Sequence, residues 1–144
     1  MNIETIVNSL VNDHIVSRKD LNIEHLAHVL DIRIGFNDDM DAYMRAEGMD
    51  VIFIKRADRH TMWKIFCHEL GHMLLHTTRQ VNMPQSFNDY QEHQAEKFAL
   101  LLMMPEKLIY EHKIYDARVA ARYFEVPFDY ALKRLEMVSA NLKL

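Results

Sequence analysis

Cys67 is the only cysteine in this 144-residue chain, which excludes a disulfide framework and fits a reducing cytosol. An excess of positive charge is missing too. Seventeen Lys and Arg stand against 21 Asp and Glu, a formal net charge of −4, whereas domains built to bind phosphate backbones are usually basic. Direct nucleic-acid contact is therefore not expected. No apolar run approaches the ~18 residues of a membrane span, and the first residues carry no basic cluster ahead of an apolar run, as a signal peptide would. The expectation is a cytoplasmic protein with no membrane partner. Repeats and low-complexity tracts are absent as well. What is present is 49% apolar content, enough at this length for residues 1–144 to form a single domain with a buried core.

Within that core-forming material one motif names a reaction. His68, Glu69, Leu70, Gly71 and His72 read HELGH, the two-histidine metal pattern of zinc-dependent peptidases. Its surroundings predict a helix over about 58–76. Met62, Trp63, Ile65, Phe66, Leu70, Met73 and Leu74 recur at helical spacing without proline, and Asp58 is a suitable N-cap. On such a helix each residue advances about 100°, so His68 and His72 lie about 40° apart and roughly 6 Å along the axis. Their imidazoles can converge on one ion, while Glu69 sits beside it as a general base should. Cys67 points about 100° away from His68 and reads as a small buried hydrophobe.

A catalytic zinc takes three protein ligands and leaves one position for water. His76 continues the four-residue series but lies roughly 12 Å along the axis from His68 and about 80° round, too far to share an ion. An extended three-histidine pattern fails as well, because Leu75 stands where glycine is required and Thr78 where the last histidine would be. A second helix, from Asn88 or Asp89 to Met104, offers a carboxylate instead. Ala95, Phe98, Ala99, Leu102 and Met103 form its apolar stripe, Asn88 and Asp89 are suited to cap it, and Pro105 closes it. Glu92 and Glu96 flank that stripe one turn apart. A carboxylate at the edge of a buried stripe needs a partner or a metal. Glu92 then reads as the third ligand. Glu96 reads as an outer partner for a ligating histidine, with His76 as a further candidate for that role. The competing reading is two solvated acids paired with Lys97 or Arg79.

The remaining chain frames these two helices. Ile3, Ile6, Val7, Leu10, Val11 and Ile15 predict a first amphipathic helix, and Ile23, Leu26, Ala27 and Leu30 a second. Ile32, Ile34 and Phe36 alternate as a strand does, Ala42 to Glu47 is a candidate for another, and Gly48 turns the chain into Val51 to Lys55, the clearest strand. The acidic run Asn37 to Asp41 reads as a solvated turn. Met49 to Lys55, or a neighbour, is a candidate edge for pairing with an extended substrate, or else a structural strand. Thr77 to Phe87 is either a substrate-facing loop or a connector. A short helix is expected over Lys107 to His112. Asp116 to Phe124 and Phe128 to Val138, in a terminal helical region of about 116–143, are spaced like a helix-turn-helix. Val119, Tyr123, Phe124, Phe128, Leu132 and Leu135 there look like packing residues, although Arg118, Arg122, Lys133 and Arg134 lie among them. Tyr90, Tyr110, His112 and Tyr115 are candidates to assist an oxyanion.

HELGHMLLH (His68 to His76) followed by EHQAEKFALLLMMPE (Glu92 to Glu106) resembles the ImmA/IrrE family of zinc metallopeptidases. The resemblance extends to Asn22–Gly35 and Ala117–Leu135. It implies an α+β fold of gluzincin type, mostly helical, with a small, mainly antiparallel sheet ahead of the HExxH helix. It also implies Zn2+ held by His68, His72 and Glu92, with Glu69 as catalytic base. Gln94 and Glu96 depart from the family, where many members carry Glu and Asn or Asp. The implied activity is site-specific cleavage of a helix-turn-helix repressor of a phage or mobile element, which would make the chain an anti-repressor. The alternative is a zinc-binding regulator that inactivates the repressor by binding without proteolysis.

Overall fold

The computed structural model describes residues 2–76 and 85–142. In chain order the elements are α1 (Ile3–His14), α2 (Ile23–Val29), β1 (Ile32–Asn37), β2 (Ala42–Ala46), β3 (Met49–Lys55), α3 (Arg59–Leu75), α4 (Gln85–Met103), α5 (Glu106–Glu111), α6 (Ala117–Phe124) and α7 (Phe128–Leu142), with a short 3-10 turn at Arg18–Asp20. Helices predominate around a small sheet, the α+β class expected above. Helix starts follow side-chain chemistry. Asn2, Asn22, Asp58 and Asp116 are N-caps whose side chains accept backbone N–H groups of the first turn, at 2.7–3.2 Å, satisfying donors that no helical carbonyl can reach. None of the described helices is long and apolar enough to cross a membrane.

The sheet has the order β1-β3-β2. The antiparallel component is the β2–β3 hairpin, which pairs Ala46 with Met49 and Tyr43 with Ile52. Glu47 and Gly48, the two residues of its turn, both have positive φ (53° and 78°), as a two-residue turn of the twisted type requires. β1 lies parallel to β3, with Ile34 opposite Ile52, so the sheet is mixed. This arrangement corrects one expectation: β3 cannot be the edge that meets an extended substrate, because both of its sides are paired. The most buried strand, with Ile52 and Ile54 fully covered, takes the centre. Its neighbour β2 is an edge among the described residues.

One buried apolar cluster runs through the molecule, from Val7, Leu10 and Val11 of α1 through Ile52 and Ile54 of β3, Phe66 and Leu70 of α3, Phe98 and Leu102 of α4, to Leu108, Phe124 and Val138. Arg134 is drawn into it: only 2% exposed, it donates Nε–H to the Met104 carbonyl at 2.7 Å. Two expectations differ from this picture. The second active-site helix begins at Gln85, so Asn88 and Asp89 lie inside it and do not cap it; Asn and Asp favour caps and first turns alike, and periodicity cannot separate the two. In the terminal helices Phe124 is buried and Tyr123 and Leu135 pack against the core, but Val119, Phe128 and Leu132 are exposed. Of the expected connector Thr77–Phe87, residues 77–84 lie outside the described residues.

Candidate metal centre

The centre is made by α3 and α4. α3 packs against β2, β3 and most extensively against α4, and at Gly71 the two helices come close. A Cβ there would lie 3.1 Å from Phe98 Cβ, 3.1 Å from Phe98 Cδ1 and 3.2 Å from Ala95 Cα. The glycine of HELGH therefore lets the second helix come near enough to deliver a side chain to the first. The small Ala95 and the buried Phe98 ring form the other half of that contact.

Glu92 is the side chain delivered. Its Oε2 lies 2.9 Å from His68 Nε2 and its Oε1 2.8 Å from His72 Nε2. One ligand atom from each of His68, His72 and Glu92 falls within 4.8 Å of the others. Both histidines are mostly covered, while Glu92 is half open. The rings stand edge to face, with centroids 4.9 Å apart, so the two Nε2 atoms and the carboxylate converge on one small volume.

The donor set fits a metal, and the hydrogen-bond arrangement around His72 sharpens that test. Burial, the largest effect, holds His72 below the ordinary histidine range, against the pull of the Glu92 carboxylate. The neutral ring has one N–H and one lone pair. His72 Nδ1 meets His76 Nδ1 at 3.1 Å, and His76 Nε2 in turn meets the Gln94 side-chain carbonyl at 2.8 Å. An amide oxygen only accepts, so a His76 ring with a single proton would donate from Nε2 and accept at Nδ1 from His72. His72 Nε2 lies 2.8 Å from a Glu92 oxygen, a place where a bound cation would meet both the imidazole lone pair and the carboxylate. Two imidazoles, one carboxylate and an open side match the composition of catalytic zinc sites.

Glu69 stands beside this cluster, half-buried at the sheet edge. Burial, more than any other cause, raises its carboxyl to about 7. The nearby Glu92 and Asp41 carboxylates push the same way, while His68 and the Tyr43 backbone N–H, which donates to it, push back. That N–H belongs to β2 and points away from β3, so the carboxylate touches the open edge of the sheet. A carboxyl that changes protonation near neutrality is suited to both accept and return a proton.

The other residues singled out in the sequence fall into place around this core or away from it. Glu96 Oε1 lies 3.1 Å from His68 Nδ1, but out of line for a hydrogen bond, so that buried nitrogen has no hydrogen-bond partner. His76, at the C-cap of α3 in extended conformation, faces the far nitrogen of His72. Cys67 is buried, and burial pushes its thiol well up. His93 turns back to the Asp89 carbonyl at 2.9 Å. Tyr90 alone among the four candidate oxyanion helpers joins the cluster: its hydroxyl accepts from Gln94 Nε2 at 3.2 Å. His112 packs on the Tyr123 ring, and Tyr110 neighbours Arg134. Sequence reasoning missed two contributors, Gln94 as a hydrogen-bond partner of His76 and the Tyr43 backbone against Glu69. Gln94 lies about 200° round α4 from Glu92, and only the crossing with α3 brings both flanks into use. A backbone N–H leaves no mark in a sequence.

Residues 27–136 match the family model of the IrrE N-terminal-like domain, Peptidase M78. The phage-like element PBSX protein XkdA of Bacillus subtilis (strain 168) is 28% identical over 129 residues, which is 85% of this chain and 65% of that protein. The chain thus spans just under two thirds of the length of that relative. The uncharacterized protein YqaB of the same strain is 26% identical over 137 residues, 89% of this chain and 78% of its own.

Proposed function

Because the chain belongs to the IrrE N-terminal-like domain family of peptidases, we propose that it is a zinc-dependent, site-specific endopeptidase that cleaves a helix-turn-helix repressor and so relieves repression. The observation that carries this reading is the convergence of His68 Nε2, His72 Nε2 and the Glu92 carboxylate, with Glu69 beside them. His68, His72 and Glu92 would hold the metal. Bound zinc lowers the pKa of a water to about 7 and polarises a carbonyl. Glu69 would take the proton of the attacking water and return it to the leaving amine. The open edge of β2 orients an extended substrate segment through backbone hydrogen bonds, which brings the scissile carbonyl next to Glu69. A relative named as a phage-like element protein supports a setting in a phage or mobile element. Residues 1–144 act as one metallopeptidase domain in this proposal, consistent with the single buried cluster that joins α1 to α7.

The test is to incubate or co-express the protein with helix-turn-helix repressors of its own genetic element, beside the Glu69→Gln variant. Glutamine keeps the metal ligands and the shape but cannot take a proton. A repressor fragment should appear with the unaltered protein and fail to appear with the variant. Full derepression by Glu69→Gln, without cleavage, would replace the peptidase by the regulator that acts through binding alone.

A further inference from the structure

The far side of the His72 ring is tied to α4 by a relay that the hydrolytic reading does not use. His72 Nδ1 meets His76 Nδ1 at 3.1 Å, His76 Nε2 meets Gln94 Oε1 at 2.8 Å, and Gln94 Nε2 donates to the Tyr90 hydroxyl at 3.2 Å. Because an amide oxygen accepts and never donates, its position on His76 Nε2 would propagate through a singly protonated His76 ring and leave the proton of His72 on Nδ1. Reversing the amide would reverse every link and place that proton on Nε2, the atom that faces Glu92. His68 has no such device. The Glu96 carboxylate stands 3.1 Å from its Nδ1 but makes no hydrogen bond to it.

We propose that Gln94 is a positioning residue that works through His76 to hold His72 in the tautomer whose Nε2 lone pair is free to bind a metal. An imidazole is suited to the intermediate place because its two nitrogens have opposite roles, so it transmits the polarity set by the amide. His76 sits where it can do this because α3 ends there: its N–H still closes the last turn onto His72 at 2.9 Å while its own backbone is extended. Tyr90 completes the chain by accepting from the amide NH2, which gives that group a partner while the carbonyl faces His76. The inference rests on the reading of His72 as a metal ligand made above.

The test measures zinc affinity by competition with a chromophoric chelator and the His72 tautomer by 15N–1H correlation spectra of the ring nitrogens. It compares the unaltered protein with Gln94→Leu, which removes the acceptor, and Gln94→Glu, which keeps it. Zinc-free unaltered protein should show His72 as the Nδ1–H tautomer. Gln94→Leu should bind zinc about 10–100-fold more weakly, the usual consequence of losing a partner of a ligating histidine, and its zinc-free spectra should show a mixture of tautomers. Gln94→Glu should retain the unaltered affinity and tautomer. The proposal is overturned if the unaltered zinc-free protein carries the His72 proton on Nε2, a measurement that needs no variant to fold. It is equally overturned if Gln94→Leu changes neither quantity, or if Gln94→Leu and Gln94→Glu lose affinity equally. Failure of the unaltered protein to bind zinc would instead remove the ligand set of the proposed peptidase, and the zinc-free tautomer would still decide the role of Gln94.

Discussion

Gly71→Ala isolates the helix crossing from the ligands it brings together. The new Cβ would sit 3.1–3.2 Å from Phe98 Cβ, Phe98 Cδ1 and Ala95 Cα, whereas carbon atoms pack best at about 3.5–4.0 Å. Ring rotation can relieve the Cδ1 contact. The other two atoms are on or next to the backbone of α4, so the helices must separate by about 0.5 Å. Overpacking of this kind costs about 1–3 kcal/mol, but alanine is better than glycine inside a helix by about 1 kcal/mol. The net loss of stability is therefore about 0–2 kcal/mol, too small to decide anything by itself. Zinc binding is the sensitive quantity, because His68 and His72 lie on one helix and Glu92 on the other. Metal–ligand distances tolerate about 0.2 Å, less than the forced shift. Zinc affinity, read by chelator competition, should fall at least about tenfold, or ~1.4 kcal/mol, while urea unfolding of the zinc-free protein moves little. Unaltered zinc affinity in a variant of near-normal stability would refute the claim that the glycine serves the site.

Two further outcomes follow from groups already described. The Glu69 carboxyl is raised from 4.5 to about 7, by burial above all, so between those values the folded zinc-free protein holds a proton that the unfolded chain has released. That contribution to stability is fully present below about pH 4.5 and is lost as the pH rises through about 7. Its upper bound is on the order of 3 kcal/mol, reduced by solvent at this half-open position. Urea midpoints of the zinc-free protein at several pH values should show this fall, and the same slope in Glu69→Gln would assign it to another group. Arg134→Ala should destabilise by about 2–4 kcal/mol, since it leaves the buried Met104 carbonyl without its donor and opens a cavity. A loss below about 1 kcal/mol in chemical unfolding would mean that the Arg134 bond is worth little.

Local features were the legible part of the fold. The asparagine and aspartate caps at Asn2, Asn22, Asp58 and Asp116 announce helices because the side chain and the orphaned N–H groups are neighbours in sequence. The turn at Glu47 and Gly48 is legible for the same reason. Strand order is not, since the parallel pairing of β1 with β3 is decided by what the sheet covers and leaves no trace in any one strand. This is why Met49–Lys55 looks like an available edge and is in fact the centre. Apolar spacing also overstates burial at the terminal helices. Val119, Phe128 and Leu132 satisfy a helical period but remain about half exposed.

The candidate site divides along the same line. His68 and His72 are four residues apart on one helix, so their convergence follows from helical geometry alone. Glu92 required one inference, that an acid at the edge of a buried stripe seeks a partner. Gln94 required knowing that α4 crosses α3 at its buried stripe, between Gly71 and Ala95, so that both flanks of that stripe border α3. The two flanks then differ in chemistry. Glu92 and Glu96 present charge to His68 and His72, and the other flank presents a neutral amide through His76. A carboxylate in place of Gln94 would accept the same N–H but would add a negative charge to a centre where Glu92 and Asp41 already raise the proton affinity of Glu69. Glutamine at this position would thus keep the polarity of the proposed relay and leave Glu69 with less charge to oppose its ionisation.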